Sequence, residues 1–132
     1  MILPDSSAWI EYLRATESDI DLRLTRLVDT RTALATTEVV VMEVLAGARD
    51  DRHLAELRDL LARCQPLNLA GVGDFEEAAS LYRTCRRAGE TVRKMVDCVI
   101  AAVAIRNQAS VLHRDSDFEV LARHTPLHVE QA

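Results

Sequence analysis

No stretch of this chain is both long enough and apolar enough to span a bilayer. Val39-Val40-Val41-Met42 stops at Glu43, and the apolar run from Met95 to Ile105 is broken by Asp97. A membrane helix needs about 20 predominantly apolar residues, so no membrane association is expected. The N-terminus, Met1-Ile2-Leu3-Pro4-Asp5, has neither a basic segment nor a small-residue cleavage site, and no secretory signal is expected. C-x-x-C pairs are absent as well. Cys64, Cys85 and Cys98 are scattered, and neither they nor His53, His113, His124 and His128 have zinc-site spacing. An odd, scattered set fits a reducing cytoplasm better than a disulfide framework. Lysine is nearly missing: of 16 basic residues only Lys94 is not arginine. Net positive charge is missing too. A formal charge of −5 excludes a protein that grips phosphates over its whole surface. It leaves room for a nuclease, because a metal-dependent site is itself built from carboxylates.

What is there reads as one domain over residues 1–132. The chain has 132 residues, 48% hydrophobic and 28% charged, enough to bury a core without staples. Met1–Asp5 reads as a buried strand, followed by a helix over Ala8–Leu13 capped by Ser6 or Ser7. Asp19 opens a helix carrying Ile20, Leu24, Leu27 and Val28. Thr32–Thr36 reads as a strand and Glu38–Ala48 as a helix ending near Gly47. A helix from Asp50 or Asp51 carries Leu54, Leu57, Leu60 and Leu61 on one face. Pro66–Leu69 reads as a strand. Helices follow from about Asp74 to Arg87 and from about Val92 to Asn107, with Gly89 between them. A strand at Ser110–His113, a helix at Ser116–His124 and a strand at Leu127–Val129 complete the chain. Short apolar strands alternating with amphipathic helices predict an α/β sandwich around a parallel sheet of about five strands. Ligands of such sheets sit at the carboxyl ends of the strands.

Four acids occupy telling positions. Asp5 follows the first strand, and Asp115 follows the fourth within His113-Arg114-Asp115-Ser116-Asp117-Phe118. Glu43 interrupts Val39–Leu45, and Asp97 interrupts Met95–Ala102. A carboxylate inside an apolar helix is costly without compensation. Each has an ordinary reading on its own: a helix cap for Asp5 or Asp115, an exposed position for Glu43, an ion pair with Arg93 for Asp97. Together they suggest one shared cation, and oxygen ligands select Mg²⁺ or Mn²⁺. Asp117 is a further candidate, with capping of a helix as its alternative. His113 is expected to be packed or paired rather than catalytic.

The chain resembles the PIN-domain ribonucleases, and among them the VapC-type toxins of bacterial type II toxin–antitoxin pairs. Ile2-Leu3-Pro4-Asp5-Ser6-Ser7 resembles the family's opening strand, Asp and hydroxyl residues. Met42-Glu43-Val44-Leu45-Ala46-Gly47 is similar to its Glu-Leu-x-x-Gly helix. Asp97-Cys98-Val99-Ile100-Ala101-Ala102 resembles Asp-x-x-Ile-Ala-Ala, and Asp115-Ser116-Asp117-Phe118 resembles Asp-x-Asp-Phe. The resemblance implies a PIN-like three-layer α/β/α sandwich and Mg²⁺-dependent cleavage of RNA, with tRNA a substrate of the family. It also implies a VapB-type antitoxin partner, a homodimer and a cytoplasmic setting. Residue by residue it makes Asp5 and Asp97 core metal ligands, Asp115 a ligand directly or through water, and Glu43 the holder of a metal-bound water. Ser6 would orient Asp5 or hold a metal-bound water. Pro4 departs from the pattern, since proline is disfavoured in a central strand.

Arg83, Arg86, Arg87, Arg93 and Lys94 concentrate positive charge ahead of Asp97. Arg86, Arg87 and Arg93, with Arg114 beside Asp115, are the candidate phosphate grips; the alternative is a solvated helix end. The leucine-rich helix at Asp51–Arg63 is a candidate dimer face. Three other readings stay open: a receiver domain, a PIN nuclease outside toxin–antitoxin pairs, and a catalytically silent PIN module. A receiver lacks support because serines follow Asp5 and Lys94 precedes a helix.

Overall fold

The computed structural model describes residues 1–132. The strands are β1 (Ile2–Pro4), β2 (Ala35–Thr36), β3 (Gln65–Pro66), β4 (Ser110–Leu112) and β5 (His128–Val129). The helices are α1 (Ser6–Leu13), α2 (Asp19–Asp29), α3 (Glu38–Ala46), α4 (Asp51–Ala62), α5 (Val72–Arg87), α6 (Met95–Arg106) and α7 (Ser116–His124). All strand pairs are parallel. β1, β4 and β5 form one ladder and β2 and β3 another. A single bridge, Ile2 to Leu34, joins them in the order β3-β2-β1-β4-β5. The expected five strands are present, as two short ladders rather than one continuous sheet.

Pro4 explains the split. The Asp5 N–H donates to the Leu112 carbonyl at 2.8 Å, on the β4 side. Successive N–H groups of a strand point to opposite neighbours, so the donor that Pro4 lacks belongs to the β2 side. The β1–β2 ladder therefore stops after Ile2. Pro66 is tolerated for the complementary reason. Gln65 and Leu67 donate to Leu34 and Thr36, which leaves the missing donor of Pro66 on the free edge. β2 and β3 are shorter than their apolar runs suggested.

Helices α1–α4 pack as one group and α5–α7 as the other, completing a three-layer α/β/α sandwich. Residues Cys98 to Ala104 of α6 are all buried. Ala101, Ala102 and Ala104 leave room for close approach of neighbouring elements, while Ile100 fills the core; Ile100→Ala would cost about 2–5 kcal/mol. The three cysteines are free and buried within this core.

Several ends differ from the expected ones. α1 begins at Ser6, and its cap is Asp5, not a serine. α5 begins two residues earlier than expected, at Val72. α6 begins at Met95 rather than Val92, because Arg93 and Lys94 give their N–H groups to the Asp117 carboxylate, each at 3.0 Å. Leu57 and Leu61 of α4 are buried, and Leu54 and Leu60 are partly so. Leu54 and Leu60 are the leucines of that helix left partly open. The fully exposed apolar residues include Met42, Val72 and Phe75.

Candidate active site

The ends of β1 and β4 deliver two acids to one place. Asp5 follows β1 directly and caps α1: its Oδ2 accepts from Ser7 N at 3.1 Å and Ser7 Oγ at 2.7 Å. Ser7 Oγ also accepts from Arg114 N at 2.9 Å, tying the β1–α1 turn to the segment after β4. Asp115 caps α7, accepting from Asp117 N at 3.0 Å. The Asp115 N–H in turn donates to His113 Nδ1 at 3.1 Å. His113 is thus paired and packed, with its Nε2 on Glu119 and its ring against Phe118.

Helices α3 and α6 supply the other two. Glu43 Oε1 accepts from Ser6 Oγ at 3.1 Å. The two serines divide the work differently from expectation: Ser7 orients Asp5, and Ser6 holds Glu43. Asp97 lies in the first turn of α6, 1% exposed, and Asp5 is 2% exposed. Asp97 Oδ2 and Asp5 Oδ1 are buried without a hydrogen-bond partner. Ligand oxygens of Asp97, Asp115 and Asp117 lie within 4.8 Å of one another.

The electrostatics match this crowding. Burial, then the charges of Asp5 and Asp115, push the Asp97 carboxyl up to about 8. Burial and Asp5 also raise Glu43, against the hydrogen bond from Ser6. Asp115 goes the other way. Burial opposes its ionisation, yet the Lys94 ammonium on its Oδ2 holds it below the usual carboxylate range.

Lys94 belongs to the site, which the basic run in the sequence does not show. It follows the arginines ahead of α6 in the chain, but Nζ contacts Asp115 and stands 3.7 Å from Asp97 Oδ2. An i, i+3 spacing to Asp97 was the available signal. Arg93 does not pair with Asp97. It reaches Asp117 at 3.6 Å, Asp115 at 4.0 Å and Ser116 Oγ at 3.0 Å. Asp117 has both oxygens committed to the start of α6.

The remaining basic candidates stand apart from the acids. Arg86 lies over the Tyr82 ring of its own helix, 5.6 Å from the centroid. Arg87 is exposed in the same last turn of α5. Arg114 pairs with Glu11 at 2.8 Å.

Comparison with known proteins agrees with this architecture. The PIN domain family matches residues 2–124, and the chain belongs to that family. Solved structures share the fold. VapBC2 from Rickettsia felis, bound to promoter DNA, has a TM-score of 0.75 at 17% identity over 98% of both chains. VapBC from Salmonella typhimurium, also DNA-bound, has 0.75 at 19% over 98% of this chain and 96% of that one. Within the PIN family the chain belongs with the VapC ribonucleases. It is 48% identical over 128 residues to ribonuclease VapC11 of Mycobacterium tuberculosis H37Rv, covering 96% of each.

Proposed function

We propose that this chain is a divalent-metal-dependent endoribonuclease, the toxin of a VapBC-type pair. The observation that carries the reading is the pair of buried, unpartnered oxygens, Asp5 Oδ1 and Asp97 Oδ2, within an all-oxygen set that includes Asp115 and Glu43. Asp5 Oδ1 has no ion pair and Asp97 Oδ2 has only the Lys94 ammonium at 3.7 Å, and buried carboxylate oxygens so placed are costly without a closer cation. The donor set fits Mg²⁺, with Mn²⁺ as substitute, and does not fit a soft metal.

Asp5 and Asp97 would hold the ion, with Asp115 alongside. Bound there, a divalent ion makes water more acidic and neutralises charge on the phosphodiester. The protein's own part is positioning and proton transfer. Glu43 Oε1 is held by Ser6, which leaves Oε2 to take the proton of the attacking water. Burial and Asp5 raise its proton affinity above the ordinary carboxylate's, which makes it a stronger base. Ser7 fixes the rotamer of Asp5, and Asp117 fixes the turn that carries Lys94. The products expected are a 3′-hydroxyl and a 5′-phosphate.

Arg86, Arg87 and Arg93 are proposed to grip phosphates flanking the cut, which offsets the overall negative charge. Arg114 keeps its place as a further contact, released from Glu11. We further propose a VapB-type antitoxin and a second copy of the chain as partners, in a cytoplasmic setting; the structural neighbours above are themselves VapBC assemblies.

The test is cleavage of a tRNA pool by the purified chain, read by sequencing new 5′ ends. EDTA should abolish cleavage, Mg²⁺ or Mn²⁺ should restore it, and Asp5→Ala should be inactive. Full activity in EDTA would overturn the metal mechanism.

A further inference from the structure

The acid cluster already contains a cation of its own. Lys94 is 52% exposed at its side chain, yet its ammonium is directed inward. The N–H of Lys94 is tied to Asp117 Oδ2 at 3.0 Å, and Asp117 is buried. The root of the side chain is therefore fixed. At the other end, Nζ contacts Asp115 Oδ2 and lies 3.7 Å from Asp97 Oδ2. The contact to Asp115 is a charge-assisted hydrogen bond; the separation from Asp97 is too long for one. The unpartnered oxygens are Asp5 Oδ1 and Asp97 Oδ2, not those of Asp115.

The site is therefore divided. On one side, Asp5 Oδ1 has neither a donor nor an ion pair, and Asp97 Oδ2, also without a donor, lies between it and the ammonium. On the other, the space between Asp97 and Asp115 is occupied by the ammonium. A second divalent ion bridging Asp97 and Asp115 would need the position that Nζ holds, and like charge beside it would repel it. Arg93, 4.0 Å from Asp115 Oδ1, adds to that repulsion.

We propose that Lys94 is the resident cation of the Asp97–Asp115 side and limits the site to one divalent ion, held on the Asp5 side. This rests on the metal-dependent reading above. Lys94 acts here as a positioning residue that sets metal stoichiometry, without itself being a metal ligand.

The experiment is Mn²⁺ titration of the full chain, followed by electron paramagnetic resonance of free Mn²⁺, for wild type, Lys94→Met and Lys94→Arg. The expected result is one ion per chain in wild type, two in Lys94→Met, and one again in Lys94→Arg, where charge is restored. Lys94→Gln carries the same expectation as Lys94→Met should the latter fail to fold. Two ions in wild type, or one ion bound with unchanged affinity in the neutral variants, overturns the proposal alone. No binding by folded wild type overturns the metal-dependent reading, and this proposal with it.

Discussion

Asp117 accepts the backbone N–H of Lys94, and this one bond across two helices decides where α6 begins. With the matching bond from Arg93, an acid of α7 fixes the two residues that lead into α6. Removing it should lower stability and loosen the turn that carries Lys94. Asp117→Ala should cost about 1–3 kcal/mol, because two partly buried N–H groups lose a charged acceptor. Thermal melts should show a Tm lower by roughly 5–15 °C. A variant as stable as wild type would separate Asp117 from the helix start.

Asp97 sets a pH dependence of the metal-free protein. Its folded proton affinity lies near 8, well above that of an ordinary carboxylate. Between the ordinary carboxylate range and about 8 the native state binds the proton more tightly than the unfolded chain does. The contribution of Asp97 to stability is therefore greatest at low pH and falls as pH rises towards about 8. Asp97→Asn should melt roughly 5 °C above wild type at pH 8 without metal, while losing several orders of magnitude in cleavage rate. Saturating Mg²⁺ should stabilise wild type and not the variant. An unchanged melting curve together with near-normal cleavage would remove Asp97 from the site.

The two serines should separate in their effects. Ser7 donates twice to Asp5, through N–H and Oγ. Ser7→Ala should lower stability by about 1 kcal/mol and weaken Mn²⁺ binding. Ser6 donates to Glu43 and lowers its proton affinity. Ser6→Ala should therefore move the acidic limb of the pH–rate profile to higher pH. Identical profiles for wild type and Ser6→Ala would argue against Glu43 as the base.

The arginines of α5 should act on RNA binding. Arg86→Ala with Arg87→Ala should raise KM, leave kcat within about threefold, and reduce the salt slope of RNA binding by roughly one to two phosphates' worth. Equal affinity and equal slope would make this a solvated helix end. Arg114→Ala breaks an exposed pair with Glu11 and should leave the melting temperature close to that of wild type.

Much of this protein was legible locally. Alternating short apolar runs and amphipathic helices specify a layered parallel fold, because period and length act within a few residues. Asp97 and Glu43 stood out because a carboxylate in an apolar helix needs compensation wherever the helix packs. Asp5 and Asp115 stood out because strand ends of such sheets face one edge. The tertiary structure decided which groups meet. It placed Ser6 on Glu43, 37 residues away, and Ser7 rather than Ser6 on Asp5. It made Asp117 the acceptor for the Lys94 N–H, 23 residues upstream, and turned Lys94 into the acid cluster. It also gave the missing N–H of Pro4 a side, and with it the break between the two ladders. Propensity and periodicity act through neighbours in the chain, whereas hydrogen bonds and ion pairs select partners by distance in space. Whether an acid is a cap, a base or a ligand is therefore decided only when the chain has closed around it.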